Sequence, residues 1–97
     1  MALQNINPTQ TQAWKNLENH FESMKNNGIK EMFLKDSNRA EQFHIQWNDF
    51  LVDFSKNKIT SETMRLLTNL ANEAQLKDAI SKYFEGDTIN QTENRAV

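Results

Sequence analysis

The sequence predicts a mainly α-helical chain carrying one small β-hairpin, an α+β arrangement, and three observations predict it. Apolar residues recur at helical spacing in two long stretches, one before and one after the middle. Between them the period drops to two, in "FHIQW" and "FLVDF" on either side of Asn48-Asp49. The two glycines, Gly28 and Gly86, stand where the helical stretches stop.

The first helix is predicted over about 8–26. Asn7 is a good N-cap, and Pro8 suits the first helical position, where its missing N–H costs nothing. Trp14, Leu17, Phe21 and Met24, with Ala13 alongside, supply the apolar stripe. Asn26-Asn27-Gly28 closes it, with Gly28 as a left-handed cap. A short second helix covers 29–34 through Ile29, Met32 and Phe33, and Asp36-Ser37-Asn38 caps one further turn from Arg39 to Gln42.

The hairpin is predicted over about 43–54, with Asn48-Asp49 as a two-residue turn. This register sets Trp47 against Phe50, Ile45 against Val52 and Phe43 against Phe54, all six on one side of the ribbon. Such a face needs a cover, from these helices or from another part of a larger structure. The last helical stretch is predicted over about 61–85, with Thr60 as N-cap and Ile59 and Met64 as a hydrophobic staple. Its inner stripe is Met64, Leu67, Leu70, Ala71 and Ala74, with Leu66 adjoining. A similar stripe follows at Leu76, Ala79, Ile80, Tyr83 and Phe84. Pattern alone leaves open whether 61–85 is one helix or breaks near Asn72–Gln75. A further helix starts at Thr92.

At 97 residues the chain holds one domain at most, and only 37% of it is hydrophobic. That is thin for an independent core, where about 45–50% is usual with glycine counted. Net charge is −2, with 11 basic and 13 acidic residues interspersed, so no basic stripe points to nucleic acid. No cysteine is present, which excludes disulfide and thiolate chemistry. "MALQNINPTQ" lacks the basic and apolar regions of a signal peptide, and the apolar runs are too short for a membrane span. The expectation is a soluble, cytoplasmic protein with no nucleic-acid or membrane partner.

Candidate chemistry is sparse. His20 and His44 are far apart in sequence and no cysteine joins them, so a zinc site lacks its ligands. His20 borders the first apolar stripe, and His44 alternates to the outer face of the hairpin. Ser55-Lys56 has the residue types of serine–lysine chemistry, but adjacent extended residues point opposite ways, and "SKN" is predicted to be a turn. Glu18 and Glu22 lie on a solvated face and Asp49 in a turn. Asp53 alternates away from the six apolar groups, beside Leu51. Asn90-Gln91-Thr92 fits the glycosylation acceptor pattern, and without a secretory signal it is expected to go unused. The residues alone supply no catalytic, cofactor-binding or metal site.

Two longer stretches carry a resemblance. Leu51–Thr60, "LVDFSKNKIT", and Gly86–Val97, "GDTINQTENRAV", resemble the N-terminal region of the glucose-6-phosphate isomerase family. The family pattern is a strand ending Leu-Val-Asp-aromatic-Ser-Lys-Asn. Further on come Gly, two variable residues, Ile-Asn, one variable, Thr-Glu, one variable and Arg-Ala-Val. Here these are Leu51 to Asn57, Gly86, Ile89-Asn90, Thr92-Glu93 and Arg95-Ala96-Val97. The order of helices and hairpin, and the helix opening "TSETMRLL", are similar as well, so the resemblance covers essentially the whole chain.

The resemblance implies an N-terminal piece, truncated before two sugar-isomerase domains of α/β/α build, with Val97 a cut inside a family motif. It implies reversible isomerisation of glucose 6-phosphate and fructose 6-phosphate, in glycolysis and gluconeogenesis. The proton passes between C1 and C2 through an enediolate, with a glutamate as base and histidine and lysine opening the ring. An arginine stabilises the intermediate, and hydroxyls and amides hold the phosphate. No metal or cofactor is implied. None of those residues falls on this chain, so catalytic, cofactor-binding and metal residues are all none. The implied partners are the remainder of the polypeptide and, for the parent, a second copy in a homodimer, with the sugar phosphate bound by the missing regions. Thr92 is expected to cap a helix that Glu93 and Arg95 anchor. The competing expectation is an autonomous small helical interaction module, its ribbon face covered by its own helices.

Overall fold

The structure, a computed structural model, describes residues 4–87 and Arg95. The order is a 3-10 turn (Pro8–Gln10), α1 (Gln12–Met24), α2 (Ile29–Lys35), α3 (Arg39–Gln42), β1 (His44–Trp47), β2 (Phe50–Asp53), α4 (Ser61–Glu73) and α5 (Leu76–Glu85). The described residues are mostly helical with one two-stranded antiparallel ribbon, the fold class expected for the chain. Among the described residues no helix is long and apolar enough to cross a membrane.

The start of α1 departs from the sequence reading. Asn7 does cap, its Oδ1 accepting from the Thr9 N–H at 3.0 Å, but the turn it opens is 3-10. Thr11 then caps a second time, its Oγ1 accepting from Trp14 N–H at 3.1 Å, so α1 begins at Gln12 and not at Pro8. Two capping side chains four residues apart each claim a helix start, and the second heads the longer run. Gly28 is also reassigned. Its φ is −91°, and it is the N-cap of α2, its N–H donating to Glu31 Oε2 at 3.1 Å. α2 runs one residue past Leu34, to Lys35.

The last helical stretch is two helices. Gln75 sits in the left-handed region at φ 59° and ψ 42°, ending α4 behind Ala74 and starting α5 at Leu76. A non-glycine residue held there is strained by about 1 kcal/mol. Glycine relieves that strain but adds unfolded-state entropy, so Gln75→Gly is expected to raise the unfolding free energy by at most about 0.5 kcal/mol. A urea titration of both chains checks this. Gly86, at φ 78°, caps α5 without that strain. Thr60 caps α4 by accepting from Thr63 N–H, and Thr63 Oγ1 accepts in return from Thr60 N–H at 3.0 Å.

α1 and α4 form the main helix–helix contact. The buried apolar side chains are Ala13, Met24, Met32, Phe43 and Leu66. The inner line of α4 is Thr63 and Leu66, with Leu70 half-buried, whereas Met64 and Leu67 are exposed. The staple of Ile59 and Met64 thus has only its first member half-buried. Phe21 turns outward from α1, as do Leu76, Ile80, Tyr83 and Phe84 from α5. The radius of gyration is 17.0 Å, against about 13 Å for a compact chain of 100 residues. The core is small and its outer faces lie open.

Candidate functional site

The most built part of the molecule is a clamp around Arg39. α3 is a single turn, and it aims this side chain at the loop between β2 and α4. Arg39 is 2% exposed. Nε and Nη2 donate to Ser55 O at 3.2 and 2.9 Å, Nη2 also donates to Asn57 O at 3.0 Å, and Nη1 donates to Ile59 O at 2.8 Å. Its guanidinium carbon lies 4.8 Å from the Phe43 ring centre and 5.4 Å from that of Phe33. A planar fork with five donors is the one side chain that serves three carbonyls at once while stacking on rings. Sequence reading missed it, taking Arg39 only as the start of one further helical turn. The signal was an arginine between Phe33 and Phe43, one helical turn before the ribbon.

Asp53 opens the clamped loop. Its Oδ1 accepts from the Ser55 N–H at 2.9 Å. Hydrogen bonds from the Ser55 side chain first, and then from its backbone, hold the Asp53 carboxyl below the usual aspartate range. The bonded form is the carboxylate, so its contribution is present above the ordinary aspartate pKa and is lost as pH falls through the lowered one. An NMR titration of the Ser55 amide is expected to show a step below the usual aspartate range, and Asp53→Asn is expected to abolish that step.

Ser55 is buried, 2% exposed, with its carbonyl and N–H both committed to this loop. Lys56 is exposed, so the pair forms a turn. His20 Nε2 lies 2.6 Å from Thr63 Oγ1 and ties α1 to α4, while Thr63 Oγ1 also contacts Met24 Sδ at 3.6 Å. His44 Nδ1 lies 2.9 Å from the Ala40 carbonyl, which only accepts, so Nδ1 carries the proton. The two histidines serve different elements and are not brought together. Among the described residues no group of three or more histidine and acidic side chains is placed to hold a metal. Glu22 pairs with Lys25 at 2.7 Å on the exposed side of α1. Thr92, Glu93 and the Asn90-Gln91-Thr92 pattern lie outside the described residues.

A cleft of about 430 Å³ opens beside the clamp, with Glu31, Lys35, Asp36, Ser61 and Glu62 along its walls. It mixes both charges and positions no nucleophile beside a base. The ribbon is different in kind. Pairing runs Ile45 with Val52 and Trp47 with Phe50, and the Trp47 and Phe50 rings stack at 5.5 Å. Phe43 and Phe54 meet at 5.9 Å at its base. Only this base is covered: Ile45 is 60% exposed and Trp47 66%. The expectation that the chain's own helices cover the face is overturned, because the helices pack on each other beside the root and leave the blade free.

Comparison with known proteins sets these observations in context. The family model described as Phosphoglucose isomerase matches residues 53–97. A glucose-6-phosphate isomerase of Christiangramia forsetii is 58% identical over 95 residues, covering 98% of this chain and 18% of that protein. Glucose-6-phosphate isomerases of two Buchnera aphidicola subspecies resemble it nearly as well. The one from subspecies Schizaphis graminum is 51% identical over 96 residues and the one from subspecies Cinara cedri 52% over 96 residues. The chain spans only 17–18% of the length of these curated relatives.

Proposed function

We propose that the chain belongs to the phosphoglucose isomerase family and is a scaffold segment of a glucose-6-phosphate isomerase that supplies none of the reacting groups. The observation that carries this is 58% identity over 98% of the chain to a protein of that name. The clamp, the turn at Asp53 and the histidine contacts all spend their polar groups on structure, which agrees with a segment selected for folding. In this reading the proton transfer between C1 and C2, the base and the phosphate contacts belong to sugar-isomerase domains outside residues 1–97. Those domains assemble as a cytoplasmic homodimer and use neither metal nor organic cofactor.

A coupled assay supplying fructose 6-phosphate and detecting glucose 6-phosphate tests the proposal. The purified chain is expected to show no turnover above the uncatalysed rate. Turnover that co-purifies with the chain and follows its concentration would contradict it.

A further inference from the structure

We infer that the apolar face of the β1–β2 ribbon is a preformed dock that joins this chain to the rest of a longer isomerase polypeptide, a reading that rests on the proposed function above. Ile45, Trp47, Phe50 and Val52 are 60, 66, 64 and 56% exposed and share one side of the ribbon. No charged residue stands among them. A two-stranded ribbon with its apolar face in water is marginal, and folded monomers rarely leave such a patch open without a use for it.

The root of the ribbon is fixed. Phe43 is 3% exposed, packs against Phe54 and accepts the Phe54 N–H on its carbonyl at 2.9 Å. Arg39 holds the chain where it leaves β2. The blade therefore projects from a rigid base, and little ordering is left to do on docking.

The occupant follows from length and chemistry. The relatives devote 17–18% of their length to the matching region, so in a chain of that size most of the polypeptide is available to cover the blade. A face without charge suits a permanent, core-like contact, because transient partners meet over more polar surfaces. A covalently continuous partner also acts at high effective concentration, so four side chains suffice where a separate protein needs a larger area.

Hydroxyl-radical footprinting read peptide by peptide tests the dock. It compares the free chain with a chimera in which this chain replaces the 95 aligned residues of the 58%-identical relative. Trp47 and Phe50 are expected to oxidise severalfold more slowly in the chimera, with Leu51 on the opposite face changing less. Ile45→Lys in the chimera is expected to restore Trp47 oxidation. Equal Trp47 reactivity in the free chain and the chimera overturns the dock. Trp47 already protected in the free chain, with a dimer mass in sedimentation, overturns it in favour of a second copy. Isomerase turnover of the same chimera judges the proposed function separately. An inactive chimera with Trp47 protected keeps the dock and removes that function, and an active one with Trp47 reactive does the reverse.

Discussion

Arg39→Met is expected to cost about 3–5 kcal/mol of stability, a large share of the total in a chain of this size. The guanidinium makes four hydrogen bonds to the carbonyls of Ser55, Asn57 and Ile59, and methionine makes none. The Ser55 bonds lie in the interior, so removing the donor strands a carbonyl that water reaches poorly. Methionine keeps the packing on Phe33 and Phe43, so the loss reports the clamp and not a cavity. Arg39→Lys is expected to recover little of it, because an ammonium is a point charge that does not span three carbonyls or stack flat on a ring. Urea unfolding followed by tryptophan fluorescence measures all three chains. A lysine variant within about 0.5 kcal/mol of the parent would show that charge alone, not the fork, holds the loop.

The second large effect separates two adjacent leucines. Leu66 is 4% exposed in the α1–α4 contact and Leu67 is 42% exposed. Leu66→Ala is expected to cost about 2–5 kcal/mol through lost burial and the cavity left behind. Leu67→Ala is expected to cost about 1 kcal/mol or less. Thermal unfolding of the two variants side by side decides this, and equal losses would mean that α4 packs with a different face inward.

That contrast also shows what sequence reading reaches. Leu67 belongs to the better helical stripe with Met64, Leu70, Ala71 and Ala74, and periodicity chose it for the core. The stripe is real, but Met64 and Leu67 are exposed and Leu70, Ala71 and Ala74 only half-buried, while Thr63, held by His20 and Met24, and Leu66 are the buried residues of α4. Hydrophobic pattern locates a face that wants cover without saying whether these residues supply it. The hairpin register was legible for the same reason, since period two and a two-residue turn leave few alternatives. Gly28 misled because a glycine after a helix stands equally well before the next one, and its φ of −91° needs no glycine. Pattern left open whether 61–85 breaks near Asn72–Gln75, because nothing in the residue type of Gln75 favours the left-handed conformation that divides the two helices there.

The clamp escaped sequence reading because its partners are carbonyl oxygens, which every residue carries. Side-chain types at Ser55, Asn57 and Ile59 therefore hold no trace of it. Of the two stretches that carry the family resemblance, Leu51–Thr60 is the one that Arg39 pins from outside. Asp53 fixes its turn, Ser55 is buried within it, and Val52 and Phe54 belong to the ribbon face. A strand and turn that must hold a blade at a set angle give a physical reason for each of those residues without any call on catalysis.

In the proposed reading these residues contribute scaffold, and no reacting group, to an isomerase. Steady-state kinetics of the chimera with fructose 6-phosphate tests it most directly, using His44→Ala and Lys56→Met. Lys56 is exposed and His44 gives only its Nδ1 to the Ala40 carbonyl, so both substitutions are expected to leave the fold intact. Both variants are expected to keep kcat and KM within about twofold of the unsubstituted chimera. A loss of about a hundredfold or more in kcat from either one, with the fold intact, would place an acid, base or nucleophile in this segment and contradict the claim.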